Sequence, residues 1–132
     1  MYILDTNICI YIINNHPKQV RHKFEQIKLS DIAISSISLF ELDAGARKGS
    51  KSIDNLLRLE QFASFIQILP FDAKAAKEAG KLRHYLLKKG QPIGDMDLLI
   101  ATHALSLSAT VVSNNLKEFE RVPELSCENW LE

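Results

Sequence analysis

Tyr2-Ile3-Leu4-Asp5-Thr6-Asn7 opens the chain, and the reading of these six residues decides the fold. Three apolar residues without alternation describe a short strand covered on both faces. Asp, Thr and Asn then break the run, and Ile8 to Ile13 resumes it as a helix until Asn14-Asn15-His16-Pro17. The order is strand, turn, helix, with an acid on the turn. The same segment has no basic n-region and meets a charge at Asp5, so neither a signal peptide nor a membrane span is expected there.

Further along, the pattern repeats. Pro17 suits the first turn of a helix in which Val20, Phe24 and Ile27 recur at helical spacing. Ile32-Ala33-Ile34 reads as a strand, and Ser36 to Arg47 as a helix with Leu39, Leu42 and Ala46 on one face, ended by Gly49-Ser50. An amphipathic stretch from Ile53 to Ala63 leads into a strand at Ile66 to Leu69, which Pro70 terminates. Asp72 caps a helix from Ala73 to Lys89 that stops at Gly90, and Gln91-Pro92-Ile93-Gly94 is loop. Asp95 to Ser108 forms the next helix, Thr110 to Ser113 the next strand, and Leu116 to Phe119 a short helical turn. Strands alternating with helices, without hairpin signals, define an α/β fold: a central parallel sheet flanked by helices. With 132 residues the chain is expected to form one domain over 1–132, with one active site. No internal repeat or low-complexity segment interrupts it.

Composition narrows the function classes. At 46% hydrophobic and 24% charged, the chain is of the globular rather than the disordered class. Sixteen basic and sixteen acidic residues cancel, so no global charge draws it to nucleic acid and any such binding is local. Two basic runs offer themselves, Arg47, Lys48 and Lys51, and Lys81, Arg83, His84, Lys88 and Lys89; the plain reading of each is a solvated helix face. Cys9 and Cys127 match no metal or redox spacing and need no oxidising compartment, which places the chain in the cytosol by expectation.

The acids carry the chemistry. In open parallel sheets, ligands bind beyond the carboxyl ends of the strands, where helix amino termini converge. Asp5 sits at such an end, with Thr6 and Asn7 able to orient it; its plain role is to cap the first helix. Glu41 follows Ser38 at capping-box spacing, so its plain role is a bond back to the Ser38 amide. Asp95 and Asp97 stand at the start of a helix, where the dipole favours a carboxylate in any case. Three helix beginnings at one rim, each offering an acid, point beyond capping. Gathered carboxylates repel unless a cation neutralises them, and hard oxygen ligands suit magnesium or manganese. Such ions polarise phosphoryl oxygens, lower the pKa of water and stabilise a leaving oxygen.

With Ser35-Ser36-Ile37-Ser38-Leu39-Phe40-Glu41-Leu42, Gly45-Ala46, Pro92-Ile93-Gly94-Asp95-Met96-Asp97-Leu98-Leu99-Ile100-Ala101-Thr102-His103-Ala104, Ser113-Asn114-Asn115-Leu116-Lys117-Glu118-Phe119 and Glu128-Asn129-Trp130 added to the opening segment, the whole chain resembles the PIN-domain ribonucleases, and among them the VapC toxins of toxin–antitoxin operons. The resemblance implies a PIN fold and a magnesium-dependent endoribonuclease, with manganese able to substitute, that hydrolyses RNA, often tRNA. It carries over Asp5 and Asp97 as the metal ligands and Glu41 as a further acid acting through water or on a second ion. Asp97 matches better than Asp95, whose position is acidic in only some relatives. Many PIN domains have a fourth acid where this chain has Asn115; Asp95 is expected to make up the charge, which gives a catalytic set of Asp5, Glu41, Asp97 and Asp95, with Thr6, Asn7, Ser113 and Asn115 orienting the substrate. The implied reaction is in-line attack of water on a phosphodiester without a covalent enzyme intermediate. The implied partners are a VapB-type antitoxin, whose tail crosses the acidic pocket with an Arg among the carboxylates, and a second copy of the chain, for which Ile10 or Ile13 would supply the contact.

Other readings remain open. His103, nearly two turns into its helix, reads as structural, and Trp130 as packed over the sheet edge. A phosphatase of the haloacid dehalogenase kind also places Asp after a first strand, but it needs a second Asp where this chain has Asn7. A degenerate PIN module that only binds RNA or a partner is the non-enzymatic alternative.

Overall fold

The computed structural model describes residues 1–131. The chain runs β1 (Tyr2–Leu4), α1 (Thr6–Asn14), α2 (Lys18–Glu25), β2 (Ile32–Ser35), α3 (Ser36–Ala46), α4 (Ser52–Ala63), β3 (Gln67–Leu69), α5 (Ala73–Lys88), α6 (Asp95–Ser106), β4 (Thr110–Val112), α7 (Leu116–Phe119) and β5 (Ser126–Glu128), with a 3-10 turn at Leu29–Asp31. The five strands form one parallel sheet in the order β3-β2-β1-β4-β5. The expected α/β architecture is therefore the observed one.

The absence of alternation in β1 follows from its central place. Leu4 joins Ile32, Ile34 and Val112 in one apolar cluster with Ile8, Ile12, Phe24, Leu42, Leu59 and Phe62 from the first four helices. On the other side, Ile3, Ala33 and Val111 pack with Leu82, Leu86, Leu98, Ala101 and Phe119. Ile3 and Leu4 are fully buried, and burying each such side chain contributes about 1.5–3 kcal/mol. Asp5 thus leaves the sheet from its most firmly packed strand.

Several element ends differ from the sequence reading by one or two residues. The helix expected to reach Ser108 ends at Ser106, because Ser108 takes φ 52° and the Ala109 amide closes back on the Ala104 carbonyl at 2.9 Å. Asn15 ends α1 in the same left-handed conformation, which Asn tolerates and Ser does not advertise. The fifth strand has no signal in the sequence: Ser126-Cys127-Glu128 carries no apolar run, and pairing with β4 rather than burial makes it a strand. Trp130 is 2% exposed and packs edge-on against Tyr2 at 5.8 Å, the structural role expected of it. No described helix is long and apolar enough to cross a membrane.

Candidate active site

Parallel register brings the first two site residues together. Leu4 lies beside Val112, and the Asp5 amide extends the ladder by donating to the Val112 carbonyl at 2.8 Å. Asp5 and Ser113 therefore leave neighbouring strands side by side, and the Ser113 hydroxyl donates to Asp5 Oδ2 at 2.8 Å. Ser113 Oγ in turn accepts from the Asn115 amide at 2.9 Å, which fixes the direction of its proton. Asp5 Oδ1 accepts from the Thr6 amide at 2.8 Å, so the acid does cap α1 as its plain reading required. Both carboxylate oxygens are engaged, and the residue is 5% exposed. Burial raises the Asp5 pKa above the ordinary value and the nearby Glu41 charge adds to it, while the bonds from Ser113 and Thr6 oppose the rise.

Glu41 does not form the expected capping box. Ser38 lies inside α3, which begins earlier, and Ser35 is the residue that caps it, accepting from the Ile37 amide at 3.0 Å. Glu41 is thereby free to turn across to α1, where the Thr6 hydroxyl donates to its Oε1 at 2.6 Å. Thr6 holds two acids at once, Asp5 through its amide and Glu41 through its side chain. Asn7 is exposed and, among the described residues, its side chain makes no hydrogen bond. The Asn115 side chain is likewise exposed, and only its amide joins the network.

Asp97 and Glu118 form the second half of the site. A Cβ placed on Gly94 would lie 3.7 Å from Glu118 Oε2 and 3.8 Å from Asp97 Oδ2, which puts the two carboxyl groups together above the start of α6. The Gly94 amide also donates to Glu118 Oε2 at 3.4 Å. Asp97 is pushed up to about 8 by burial first, then by its hydrogen bond to Glu118 and by the charges of Asp5, Glu118 and Glu41. The same hydrogen bond holds Glu118 below its ordinary value. The contact between the two carboxyl groups thus raises Asp97 and lowers Glu118. In the sequence motif Glu118 has no role assigned to it; its signal is its place on the turn after β4, which is the rim already occupied by Ser113 and Asn115.

Asp95, expected as the fourth charge, pairs instead with Arg83 at 2.6 Å on the surface. Glu118 stands where that charge was sought. Among the described residues no Lys, Arg or His comes within ion-pair distance of Asp5, Glu41, Asp97 or Glu118. Nor do any three carboxylate, imidazole or thiol groups among them converge closely enough to enclose an ion as they stand. The four acids are two pairs, Asp5 with Glu41 joined through Thr6, and Asp97 with Glu118, and the field of the first pair reaches Asp97.

Beside Glu41 runs a groove of about 250 Å³ between α1, α3 and α4, lined by Ile10, Ile13, Leu42 and Leu59 with Arg58 across it. Arg58 is held by the Ile13 carbonyl and the Asn14 side chain, both at 2.9 Å. In the basic runs, Arg47 pairs with Asp43 and Lys81 with Glu78, as solvated helix faces do.

Known proteins share this sequence and this fold. The PIN domain family matches residues 2–125. Ribonuclease VapC2 of Rickettsia felis is 48% identical over 131 residues, 98% of each chain. The tRNA(fMet)-specific endonuclease VapC of Salmonella typhimurium is 43% identical over 129 residues, 98% of this chain and 97% of that one. Among solved structures, the DNA-bound VapBC of Salmonella typhimurium superposes with a TM-score of 0.92 at 43% identity, covering 98% of this chain and 97% of that one. VapBC2 of Rickettsia felis bound to promoter DNA gives 0.90 at 46%, covering 98% of each. Nucleases of this family are generally metal-dependent. A parallel sheet in this strand order, an acid beyond its central strand and relatedness along nearly the whole length lead to one conclusion: the chain belongs to the PIN-domain family, as a VapC-type ribonuclease.

Proposed function

We propose that Asp5, Glu41, Asp97 and Glu118 together form the active site, that they hold magnesium or manganese, and that the RNA cut is the initiator tRNA named for the Salmonella relative. The observation that carries this is the gathering of four carboxylates at one rim of the sheet, Asp5 and Glu41 joined through Thr6 and Asp97 meeting Glu118 above Gly94, with Asp97 pushed up to about 8. Among the described residues no cation lies within ion-pair distance of the four acids, and the Arg121 charge reaches Glu118 only from further off, so most of their repulsion is unrelieved. A divalent cation relieves it, and an all-oxygen donor set suits a hard ion. The donor set fits the metal by charge and chemistry.

When bound, such an ion neutralises the acids, polarises a phosphoryl oxygen and lowers the pKa of water. The chain's own contribution is to hold the acids in place. Ser113 and the Thr6 amide fix Asp5, the Thr6 hydroxyl fixes Glu41, and the Gly94 amide fixes Glu118. The reaction is hydrolysis: water forms a bond to phosphorus as the bond to the leaving ribose oxygen breaks. No side chain acts as nucleophile. Asp5 has both oxygens engaged and is nearly buried, which counts against the phosphatase reading, and Cys9 is fully buried with its thiol far above the titrating range.

The partner is a VapB-type antitoxin, as in the relatives' VapBC complexes. The groove beside Glu41 fits its tail, with Ile10 and Ile13 lining the path to the acids. That use of Ile10 and Ile13 leaves them poor candidates for a contact between two copies, so a homodimer would use another face.

The test is to incubate the purified chain, freed of antitoxin, with total tRNA and a messenger pool in manganese, and to map the 5′ ends. Cleavage of initiator tRNA at one position is expected. Cutting of messenger alone would overturn the substrate, and no cutting of either RNA would favour a binding module.

A further inference from the structure

His103 is the one buried imidazole the site does not use, and its surroundings give it a task. It is 2% exposed, on α6 six residues beyond Asp97, and its Nδ1 lies 2.8 Å from Ser35 Oγ. Ser35 is fully buried, is the last residue of β2, and caps α3, which carries Glu41 six residues on. This contact bridges 68 positions in sequence and, among the described residues, is the side-chain hydrogen bond joining the helix of Glu41 to the helix of Asp97.

We propose that His103 is a positioning residue: its neutral Nδ1 accepts the Ser35 hydroxyl proton, and this bond sets α3 against α6 and so Glu41 against Asp97. The proposal rests on the active-site reading above. The direction of the bond follows from counting protons. Ser35 Oγ already accepts from the Ile37 amide, and its own hydrogen needs an acceptor in a site without solvent. Nδ1 is that acceptor, so the ring proton is on Nε2. Were Nδ1 protonated, two donors would face Ser35 Oγ and the hydroxyl hydrogen would be stranded. The ring is walled by Phe71, edge-on at 5.5 Å, and the charged group that reaches it from a neighbouring element is Asp72. Burial lowers the imidazole pKa and the Asp72 charge partly offsets that, so the neutral form prevails at neutral pH.

Two variants separate this role from plain packing. His103→Asn can place an amide oxygen where Nδ1 stood; His103→Leu fills the space without an acceptor. Three readouts are taken: the imidazole tautomer of the metal-free wild type by long-range nitrogen–proton correlation, manganese binding, and kcat and KM for RNA cleavage. The wild type is expected as the Nε2–H tautomer. His103→Leu is expected to lose about tenfold to a hundredfold in kcat, the effect of a small misplacement of reacting groups, with KM for RNA little changed and weaker manganese binding. His103→Asn, which keeps an acceptor for the Ser35 hydroxyl, is expected to keep most of kcat and of the manganese binding. An Nδ1–H tautomer, unchanged kcat and manganese binding in His103→Leu, or a His103→Asn variant as impaired as His103→Leu would each overturn the proposal. If His103→Leu does not fold, the tautomer and the activity kept by His103→Asn still decide it. A wild type that cuts no RNA would sink the active-site reading, while the tautomer would still test the Ser35 bond.

Discussion

Replacing Asp97 by Asn is expected to stabilise the metal-free protein at pH 8 while abolishing its activity. Asp97 titrates at about 8, against 3.8 ordinarily, so between these values the folded chain binds more protons than the unfolded one. Stability gained by a raised pKa is complete below 3.8 and is lost as pH climbs through about 8. Taken at face value, about 1.4 kcal/mol per unit would make the loss very large. Asp97 is only partly buried, and solvent screens it. Like charges about 4 Å apart repel by about 1 kcal/mol in water and about 4 kcal/mol at a protein-surface dielectric, so a net ~1–2 kcal/mol is the reasonable figure. The substituted asparagine carries no charge at any pH, and its amide can still donate to Glu118. The expected result, by scanning calorimetry in chelator, is a Tm about 3–8 °C above wild type at pH 8 and little difference near pH 4. Added manganese should raise the wild-type Tm and leave the variant unmoved. A variant less stable than wild type at pH 8, or a wild-type Tm indifferent to both pH and manganese, would refute the reasoning.

The neighbouring contacts can be tested in the same way. Glu118→Gln should lower cleavage at least about tenfold and weaken manganese binding, whereas Asp95→Asn should leave cleavage unchanged and alter stability by less than about 1 kcal/mol, since it breaks only an exposed pair with Arg83; titration calorimetry and a cleavage assay compare them. Ser113→Ala removes a donor from buried Asp5 and an acceptor from the Asn115 amide, so denaturant unfolding should show a loss of about 1–3 kcal/mol, with weaker manganese binding. Trp130→Ala empties the packing beside Tyr2 and should cost about 3–5 kcal/mol in stability, while cleavage below the melting temperature persists.

How far the sequence alone reaches depends on whether the signal is local. The strand–turn–helix at Tyr2 to Ile13 is read directly, because an apolar run that ends in Asp-Thr-Asn has few other structures open to it. The same holds for Gly90, which stops α5 with φ 69°. β5 escapes because an edge strand of Ser, Cys and Glu is made by its pairing with β4 and not by its own pattern. Asp5 and Asp97 are legible from position and resemblance. Glu41 is legible as a site acid but with the wrong partner: the capping-box spacing from Ser38 is real, yet the helix starts at Ser36, as its apolar face indicates, with Ser35 as its cap, and Glu41 is left free for Thr6. The contacts of Asp95 and Glu118 are hidden for a similar reason. The first lies two residues from Asp97 in sequence but faces Arg83, while the second reaches Asp97 from α7, a contact no sequence spacing discloses.

Cleavage of initiator tRNA by the antitoxin-free wild type, measured with manganese, with chelator and with Asp97→Asn in its place, tests the central claim most directly. The account predicts cutting with manganese in the wild type, lost in chelator, restored by adding the metal back, and missing from the variant. Cutting that continues in chelator, or a variant as active as the wild type, would contradict the four-acid site as the seat of the reaction.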